Sequence, residues 1–405
     1  MIKIYFTMRR PTLATPYAQI HRAEYENSST KAPQGTKLWY TAIMKKPCRR
    51  PIVSILLALL LLALAAGCAP AHVGPEANGG ETAVPVLVQP LTTPTATPAP
   101  TPTPAPDPLR PPEGAYTIAW LSDTQHYSRK YPALFRDQTR FLQENAERLA
   151  LAYVVHTGDL VHNRDDARQW AVADEAMRTL DEIPYGVCAG NHDVGTSLRD
   201  CDYTVYGTYF GEARMAGKPW YGGSYENNRG HFDLVDVGDT GFLFVYMGYH
   251  IDEAAVDWLN ATFAAYPDRI GALCVHSYFN HDCTLTDQGE LLYDGVVARN
   301  PNLYLVLCGH RYNSACVPAT FDDDGDGAAE RTVLQMICNY QAAGQTGGDG
   351  YLRLMQVDEA AGIIHILSYS PLRDDFVYYD TPEHREENHS FDPAGEQGDV
   401  PIPWL

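Results

Sequence analysis

The sequence predicts an α/β fold in which two β-sheets form a sandwich flanked by helices, an α-β-β-α arrangement. Short apolar runs alternate with segments of helical periodicity up to about residue 310, which indicates strands and helices in turn. Beyond that point only strand-like runs follow, and their short connections favour antiparallel pairing. Alternation followed by strands alone is typical of a two-sheet sandwich.

The first half of the predicted fold contains three strands and two helices. The strand TIAWLS follows Tyr116 and leads into Asp123. Apolar residues at helical spacing then predict a helix over 133–149. The strand LAYVVHT leads to Gly158-Asp159, and a helix over 165–180 precedes a strand over 185–189.

The second half begins with an insertion over 194–230 that is rich in Gly, Tyr and Asn. The runs HFDLVDVG and TGFLFVYMG are then predicted to pair as strands. Helices over 252–263 and 287–299 precede the strands GALCVHS and LYLVLCGH, which lead to His276 and His310. The last three strands are RTVLQMICNYQ, GYLRLMQVD and GIIHILSYSP. Four tyrosines of the insertion either pack it or wall a cleft, and packing is the favoured interpretation: Tyr206, Tyr209, Tyr221 and Tyr225.

A different pattern precedes the folded domain. An apolar stretch over 52–66 follows four basic residues and ends in Ala65-Ala66-Gly67-Cys68. A basic start, a short apolar core and small residues before a cleavage site indicate a secretory signal, because the stretch is short for a transmembrane helix. The end resembles the lipobox of bacterial lipoproteins, in which the cysteine becomes the lipidated N-terminus. We therefore expect an extracytoplasmic protein anchored to the cell membrane through Cys68, with an ordinary signal peptide or an uncut anchor as the alternatives.

Length and composition divide the 405 residues into five predicted regions. They are an upstream extension (1–43), a lipoprotein signal peptide (44–67), a Thr/Pro-rich tether (68–114), the folded domain (115–372) and a polar tail (373–405). Translation is predicted to start at Met44, next to the basic part of the signal. The tether favours extended polyproline II structure, which at ~3.1 Å per residue could hold the domain up to roughly 80 Å from a membrane.

Charge and cysteine content limit the function classes. Without residues 1–67 the chain has 20 basic and 48 acidic residues, a net charge of −28. Such a surface repels polyanions, so no nucleic-acid partner is expected. Four cysteines in strand-like runs are expected to be buried, whereas Cys201, Cys283 and Cys316 lie in loops and could form one disulfide, whose pairing stays open.

Metal-competent side chains follow five of the predicted strands. They are Asp123, Asp159, Asn191, His276 and His310. In an open α/β sheet, strand ends of this kind meet at one rim, where ligands bind. Carboxylates can bridge two cations, neutral imidazole suits Zn, Fe or Mn, and an amide oxygen adds an uncharged donor. The pattern therefore predicts a two-metal hydrolytic centre.

The order of these motifs resembles the calcineurin-like metallophosphoesterase family. The resemblance rests on Asp123, Gly158-Asp159, Gly190-Asn191-His192-Asp193, His276 and Gly309-His310, and covers about 118–310 or as far as 371. It implies that 115–372 is a metallophosphoesterase domain that hydrolyses a small phosphomonoester or phosphodiester. It also implies a metal-bound hydroxide at a dinuclear centre and two metal ions, Mn, Fe or Zn, as cofactors.

The resemblance also implies a role for each site residue. Asp159 would bridge both metals, and Asp123 would bind the first. The second metal would be held by Asn191, His276 and His310. His192 would contact the substrate phosphate and protonate the leaving oxygen, with Asp193 supporting it. General acid help of this kind is typically worth ~10²–10⁴ in rate.

Two positions at the first metal depart from the family pattern. Gln125 stands where Asp-x-His has its histidine, and Tyr312 stands where Gly-His-x-His has its second one. Gln125 can offer a carbonyl oxygen and Tyr312 a phenolate, or His126 could enter by a one-residue shift of the loop. Arg311 either grips a substrate phosphate bidentately or forms a surface ion pair.

These departures leave a second class of function open, a cell-surface binding module that keeps one metal. Three loop histidines, His126, His156 and His162, are expected to hold ligands in place rather than to bind metal themselves. The run Asp322 to Gly327 begins like a calcium loop, but the twelfth position is Val333. We therefore predict a hairpin tip there, with at most weak affinity for Ca²⁺.

Overall fold

The computed structural model describes residues 106–197, 199–341, 344–376 and 396–405. The predicted extension, signal peptide, Cys68 and most of the tether lie outside the described residues and stay predictions. Within the described part, no helix combines the length and the apolar character that a bilayer crossing requires.

The first sheet has six strands in the order β13-β12-β11-β1-β2-β3. Its members are β1 (Tyr116–Leu121), β2 (Leu151–His156), β3 (Tyr185–Val187), β11 (Leu352–Asp358), β12 (Ile363–Tyr369) and β13 (Gly398–Pro401). The three strands β1, β2 and β3 run parallel, and β11 to β13 add antiparallel pairs. Every residue of β1 is buried, as expected for a central strand.

The second sheet has seven strands in the order β4-β5-β6-β7-β8-β10-β9. Its members are β4 (Tyr221–Tyr225), β5 (Gly230–Val237), β6 (Thr240–Met247), β7 (Ile270–Val275), β8 (Leu303–Cys308), β9 (Asn313–Phe321) and β10 (Arg331–Asn339). Strands β6, β7, β8 and β10 form parallel neighbours. The carboxyl ends of β7, β8 and β10 therefore lie at one rim.

Eight α-helices accompany the sheets in the described residues. They are α1 (Gln125–Lys130), α2 (Pro132–Glu144), α3 (Ala167–Arg178), α4 (Asn191–Val194), α5 (Thr204–Phe210), α6 (Glu212–Met215), α7 (Glu253–Ala265) and α8 (Asp287–Gly295), with a 3₁₀ turn at Val297–Arg299. Three of the longer helices, α3, α7 and α8, begin where a side chain satisfies a free N–H group, whereas α2 begins with Pro132. Asp252 accepts a hydrogen bond from the Ala255 amide at α7, and Thr286 accepts one from Gly289 at α8.

Strand β6 shows how the sequence builds the sandwich. Its alternate residues Phe242, Phe244 and Tyr246 lie in the core between the two sheets. The intervening Leu243, Val245 and Met247 lie in the second core, against α7 and α8. A strand alternates its side chains between two faces, so continuous apolar sequence indicates burial on both. The stacked rings of Tyr153 and Phe244, 4.0 Å apart, join the two sheets.

The predicted fold class is confirmed, with corrections to single elements. The three strands after residue 330 do not form one antiparallel group, because β10 lies in the second sheet and pairs in parallel with β8. The short strands β4 and β13 and the nine-residue strand β9 were not predicted. The predicted hairpin tip at 322–327 lies between the antiparallel strands β9 and β10.

The folded domain extends beyond both of its predicted boundaries, 115 and 372. At the amino end, Leu109 is buried and Asp107 forms a two-point ion pair with Arg148, at 2.7 and 2.8 Å. At the carboxyl end, β13 pairs with β12, and Ile402 is buried. The predicted polar tail, 373–405, thus contributes an edge strand. Backbone hydrogen bonds with a neighbouring strand fix it, and these leave no apolar pattern in the sequence.

The cysteines and tyrosines follow the simpler interpretations. All seven cysteines of the described residues are free, including Cys201, Cys283 and Cys316, so the disulfide considered for them does not form. The four tyrosines of the insertion pack against neighbours: Tyr206 bonds to the Val187 carbonyl, Tyr209 stacks on Trp170, Tyr221 bonds to Asn228 and Tyr225 contacts Trp258.

Candidate metal centre

The loops that follow five parallel strands form the centre. Asp123 follows β1, Asp159 follows β2 and Asn191 begins α4 after β3, all on the first sheet. His276 follows β7 and His310 follows β8, on the second sheet. The sandwich therefore brings the carboxyl ends of both sheets to one rim, as the sequence predicted.

Three of these residues have backbone conformations that are uncommon outside glycine. The φ angles of Asp123, Asp159 and His310 are 54°, 56° and 70°. A non-glycine residue in this left-handed region costs of order 1–3 kcal/mol, and such residues cluster at functional sites. Each lies two or three positions beyond the end of a strand, so the turn directs the side chain towards the rim. Next to them, a Cβ at Gly190 would overlap the Asp159 carboxylate, which explains the glycine.

One half of the centre consists of Asn191, His276 and His310, and we call it the imidazole half. His276 Nε2 lies 3.1 Å from Asn191 Oδ1 and 3.1 Å from His310 Nδ1. His276 Nδ1 lies 2.8 Å from the Thr157 carbonyl, which can only accept, so Nδ1 carries the hydrogen. Nε2 is then the nitrogen that would bind a cation once its own proton is displaced, in the arrangement typical of metal-binding histidines.

The other half consists of Asp123, Gln125 and Gln341, and we call it the amide half. Gln341 follows β10 and was not predicted. Its Nε2 donates to Asp123 Oδ1 at 3.0 Å, and its Oε1 accepts from Gln125 Nε2 at 2.6 Å. The second oxygen of Asp123 accepts from the Ser122 hydroxyl and from the His310 amide.

Asp159 lies between the two halves. Its Oδ1 lies 3.4 Å from His276 Nε2, while its Oδ2 accepts from Gln125 Nε2 at 3.1 Å. Each oxygen therefore faces one half, which is the arrangement that a bridging carboxylate requires. Ligand atoms of Asp159, His276 and His310 all lie within 4.8 Å of one another, so one cation can contact all three.

Buried charge gives the centre an affinity for cations. Burial raises the pKa of the Asp123 carboxyl to about 7. Burial also opposes ionisation of Asp159, yet the positive charge of protonated His276 holds the pKa of Asp159 at about 2. Burial likewise opposes the charge on His276, but Asp159 and Asp123 raise the pKa of its ring to about 9. The carboxylates of Asp123 and Asp159 repel each other, and the positive charge of the protein around them does not keep both ionised. A bound cation would favour the ionised form of both.

His192 is oriented by backbone groups. Its amide donates to Asp159 Oδ1 at 2.9 Å, and its Nδ1 lies 3.0 Å from the His162 carbonyl. That carbonyl can only accept, so Nδ1 donates and Nε2 is the ring nitrogen left for a substrate. The side chain of His192 lines the open cavity of the centre.

Asp193 was predicted to support His192, and the structure shows which groups its carboxylate contacts. It accepts from the amides of Leu160, Val161 and Gly190, at 3.2, 2.9 and 2.8 Å. The motif order identified the residue but not its contacts, which lie on the backbone of two loops. Asp193 thus joins the loop after β2 to the loop after β3 and positions His192 through the chain.

The three loop histidines contact groups around the centre. His156 Nε2 bonds to the Thr124 hydroxyl, and its Nδ1 accepts from the Gly158 amide. Burial lowers the pKa of His156 to about 3, so the ring is neutral. His126 stacks on His162, and His162 stacks on His192, with centroids 5.7 and 4.9 Å apart. His126 therefore stacks beside the centre, whereas the side chain of Gln125 bonds to Asp159 within it.

A cavity of about 370 Å³ opens over the centre. Its walls are formed by Asp159, Asn191, His192, His281, His310, Arg311, Tyr312 and Gln341. Arg311 thus lies where a substrate would bind, as one of its two predicted roles requires. Tyr312 is 47% exposed, and in the described part of the chain its hydroxyl has no hydrogen-bond partner.

The geometry of this centre agrees with a comparison of the sequence with known families. A model of the calcineurin-like phosphoesterases matches residues 116–323. The chain belongs to this family. The resemblance drawn from the motifs and the two-sheet fold class are thereby confirmed, and membership classifies the chain as a hydrolase of phosphoric ester bonds. Calcineurin-like phosphoesterases generally bind two divalent metals, and Asp159, His276 and His310 offer candidate ligands here.

A protein of Bacillus subtilis is similar to this chain over two thirds of the chain's residues. The uncharacterized protein YvnB of Bacillus subtilis is 43% identical over 273 residues, which are 67% of this chain. The match spans only 21% of that relative's length.

Among solved structures, the chain is similar to a purple acid phosphatase of yellow lupin, with 11% identity, 65% of this chain and 52% of that chain covered, and a TM-score of 0.44. It is also similar to GAP50, an anchor in the inner membrane complex of Plasmodium, with 11% identity, 71% and 98% covered, and a TM-score of 0.41.

Two residues of this phosphoesterase site were missed in the sequence. Gln341 lies 31 positions beyond His310, after the last motif of the family. His281 lies in the loop after β7, five residues beyond His276. Gln341 lies just beyond the end of a strand, which is the feature that identified the other ligands. The run NYQ at the end of that strand was therefore the local sign that Gln341 could reach the centre.

Proposed function

We propose that the protein is a metal-dependent phosphoesterase that hydrolyses small phosphomonoesters or phosphodiesters at a dinuclear centre. The observation that carries the proposal is the position of Asp159, with one carboxylate oxygen towards each half of the centre and His192 bonded to it on the cavity side. Asp159, Asn191, His276 and His310 would hold one cation. Asp123, Asp159 and Gln125 would hold the other.

The residues fit such cations. Gln125 Oε1 is buried and has no hydrogen-bond partner among the described residues, although a buried acceptor of this kind normally has one. In the imidazole half, His276 Nε2 and Asn191 Oδ1 lie 3.1 Å apart, so both could bind one cation. When bound, two divalent cations would neutralise phosphoryl oxygens and lower the pKa of a water molecule towards ~7.

The residues of the chain then act on the substrate. Arg311 on the cavity wall would bind phosphate oxygens in pairs, because a guanidinium matches their spacing. In its doubly protonated form, His192 would keep its Nδ1 hydrogen on the His162 carbonyl and donate its Nε2 proton to the leaving oxygen. The hydrogen bond from the backbone amide of His192 to Asp159 fixes the distance between this proton donor and the centre.

The cavity supports a small substrate. Its volume of about 370 Å³ lies near the lower limit for small-molecule sites, ~300–1,000 Å³. The net charge of −28 beyond residue 67 opposes approach of long polyanions. A small phosphate ester, neutralised locally by Arg311 and the cations, fits both observations.

The location of the activity is part of the proposal. A basic segment, an apolar stretch over 52–66 and Cys68 support export and lipid anchoring, and the Thr/Pro-rich tether would separate the domain from the membrane. The enzyme would then act on phosphoesters outside the cytoplasm.

Hydrolysis of a chromogenic phosphomonoester and a phosphodiester, with Mn²⁺, Fe²⁺ or Zn²⁺ added, tests this function. We expect metal-dependent turnover and a loss of ~10²–10⁴ in kcat for His192→Ala, because acid help to the leaving group disappears. His365→Ala, on the distant strand β12, is the matched control. Equal rates for wild type and His192→Ala would instead favour the alternative, a binding module that keeps one metal.

A further inference from the structure

Gln341 is attached to a different part of the fold from the other residues of the amide half. It follows β10, two strands away from β7 in the second sheet, whereas Asp123 and Gln125 follow β1 in the first. Its side-chain amide nevertheless contacts both, at 3.0 Å from Asp123 Oδ1 and 2.6 Å from Gln125 Nε2. The two sheets therefore meet at this side chain.

The chemistry of the amide half permits two arrangements. A glutamine offers either a carbonyl oxygen or an NH₂ group, and a half-turn of its terminal torsion exchanges the two. With the NH₂ groups inward, Gln341 donates to Asp123 and Gln125 donates to Asp159. This arrangement leaves Gln125 Oε1 buried without a partner among the described residues. With the oxygens inward, the atom beside Asp123 Oδ1 and the atom beside Asp159 Oδ2 would each be a carbonyl oxygen, which adds two oxygen donors to the two carboxylates.

The spacing of these atoms suits a hard cation. Adjacent ligands around an octahedral cation with 2.0–2.1 Å bonds are about 2.9 Å apart. The amide positions of Gln341 and Gln125 lie 3.0 and 3.1 Å from the nearest oxygens of Asp123 and Asp159. Among the described residues, no imidazole nitrogen bonds to Asp123, Gln125 or Gln341; His310 reaches Asp123 only through its backbone amide. Oxygen-only sites favour Mg²⁺ or Mn²⁺, whereas imidazole favours Zn²⁺ or Fe²⁺.

We propose that Gln341, together with Gln125 and Asp123, completes an all-oxygen first cation site that selects Mg²⁺ or Mn²⁺. The inference rests on the proposed function, because it describes the first cation of the same centre. Gln341 takes the place that the sequence assigned to Tyr312, whose hydroxyl is half-exposed and unbonded within the described residues. The two halves of the centre thus hold cations of different class.

The test measures cation binding to the full-length protein, separately from hydrolysis. After chelation, the protein is titrated with Mn²⁺, followed by the electron paramagnetic resonance of free Mn²⁺, and competed with Mg²⁺ and Zn²⁺. We expect two equivalents, one displaced by excess Mg²⁺ and the other only by Zn²⁺. Gln341→Leu should weaken the Mg²⁺-sensitive equivalent by on the order of 10–100-fold and leave the other unchanged.

Two further variants keep the result interpretable. Gln345→Leu alters an exposed glutamine of the same loop and should titrate as wild type. Gln341→Glu keeps an oxygen donor and adds charge, so it should retain both equivalents and bind Mn²⁺ more tightly. Circular dichroism confirms that each variant is folded. If Gln341→Leu does not fold, the comparison of Gln341→Glu with wild type decides, and equal Mn²⁺ affinity of these two overturns the proposal.

Other outcomes overturn the proposal equally clearly. Wild-type affinity at both equivalents of folded Gln341→Leu would show that Gln341 is not a ligand. A single equivalent in the wild type, with any of the three metals, would show that the amides cap the carboxylates in place of a cation. Two equivalents and the expected loss in Gln341→Leu, without turnover of any phosphoester, would support this site and reject the proposed hydrolysis.

Discussion

The imidazole half of the centre offers His276, His310 and the Asn191 amide, whereas the amide half offers Asp123 and two glutamines. Both halves are built at strand ends by residues with left-handed backbone, and they share the Asp159 carboxylate. Only the donors differ. Imidazole nitrogen retains transition metals, while carboxylate and amide oxygens prefer hard cations. One scaffold can therefore change the metal at one position without changing the fold.

The halves also differ in what holds their ligands. His276 is fixed by the Thr157 carbonyl, a backbone group of the strand end. Gln125 and Gln341 are fixed by each other and by the carboxylates they face. Backbone support survives side-chain substitution, but mutual support does not. Loss of one glutamine should therefore also disorder the other, and the imidazole half should be the more robust of the two.

The largest expected effect is on the imidazole half. We expect His276→Ala to lose the tightly held cation and to lower kcat by on the order of 10³-fold or more, because that cation supplies several kcal/mol of transition-state stabilisation. Elemental analysis and steady-state kinetics, with His365→Ala as the control, would measure both. A His276→Ala protein that keeps two metals and its rate would mean that the imidazole half does not hold the cation needed for turnover.

A smaller effect is expected for Asp193, which joins the loops that carry Asp159 and Asn191. Asp193→Ala would leave three buried backbone amides, those of Leu160, Val161 and Gly190, without their acceptor. Each unsatisfied group costs ~1–3 kcal/mol, so we expect the free energy of unfolding to fall by about 3 kcal/mol or more. Urea denaturation would measure it, with the exposed Asp257→Ala as the matched control.

Metal affinity measured on the same Asp193→Ala variant would compare the two halves of the centre directly. Asp193 joins the loops that carry Asp159 and Asn191, so both equivalents should weaken together. Unchanged stability would mean that solvent replaces the carboxylate at these amides. A loss confined to one equivalent would show that the two loops move independently.

The imidazole half could be predicted from sequence because each of its ligands directly follows a strand with continuous apolar character. Asn191 follows the run YGVCAG, His276 lies near the end of ALCVHS and His310 ends LVLCGH, and the strand residues of these runs are buried. Side chains at the ends of parallel strands meet, so chain order and periodicity were sufficient. The same reasoning placed Asp123 and Asp159.

The amide half could be predicted only in part. Gln125 was found through its position two residues after Asp123, but Gln341 depends on which sheet contains β10 and in which direction it runs. Periodicity indicates that a segment is a strand and not which strand it pairs with. The sequence suggested antiparallel pairing for β10, which would have placed its end away from the rim. Pairing with β8 decides that Gln341 reaches the centre.

The partners of Asp193 were unpredictable for a related reason. Its carboxylate binds backbone amides, which every residue carries, so no side-chain motif marks them. Likewise, β13 bonds through its backbone at the edge of the first sheet and has a polar sequence, Gly-Asp-Val-Pro.

The smallest expected effect concerns Tyr312, the residue first considered for the amide half. Its hydroxyl is half-exposed on the cavity wall and has no hydrogen-bond partner in the described part of the chain. Tyr312→Phe removes only that oxygen, so we expect kcat and the affinity of both cations to change by less than about twofold, as is usual for surface substitutions within ±0.5 kcal/mol. A tenfold or larger loss of the Mg²⁺-sensitive equivalent would restore the phenolate as a ligand. It would also mean that the amide half closes around its cation with Tyr312 rather than with Gln341.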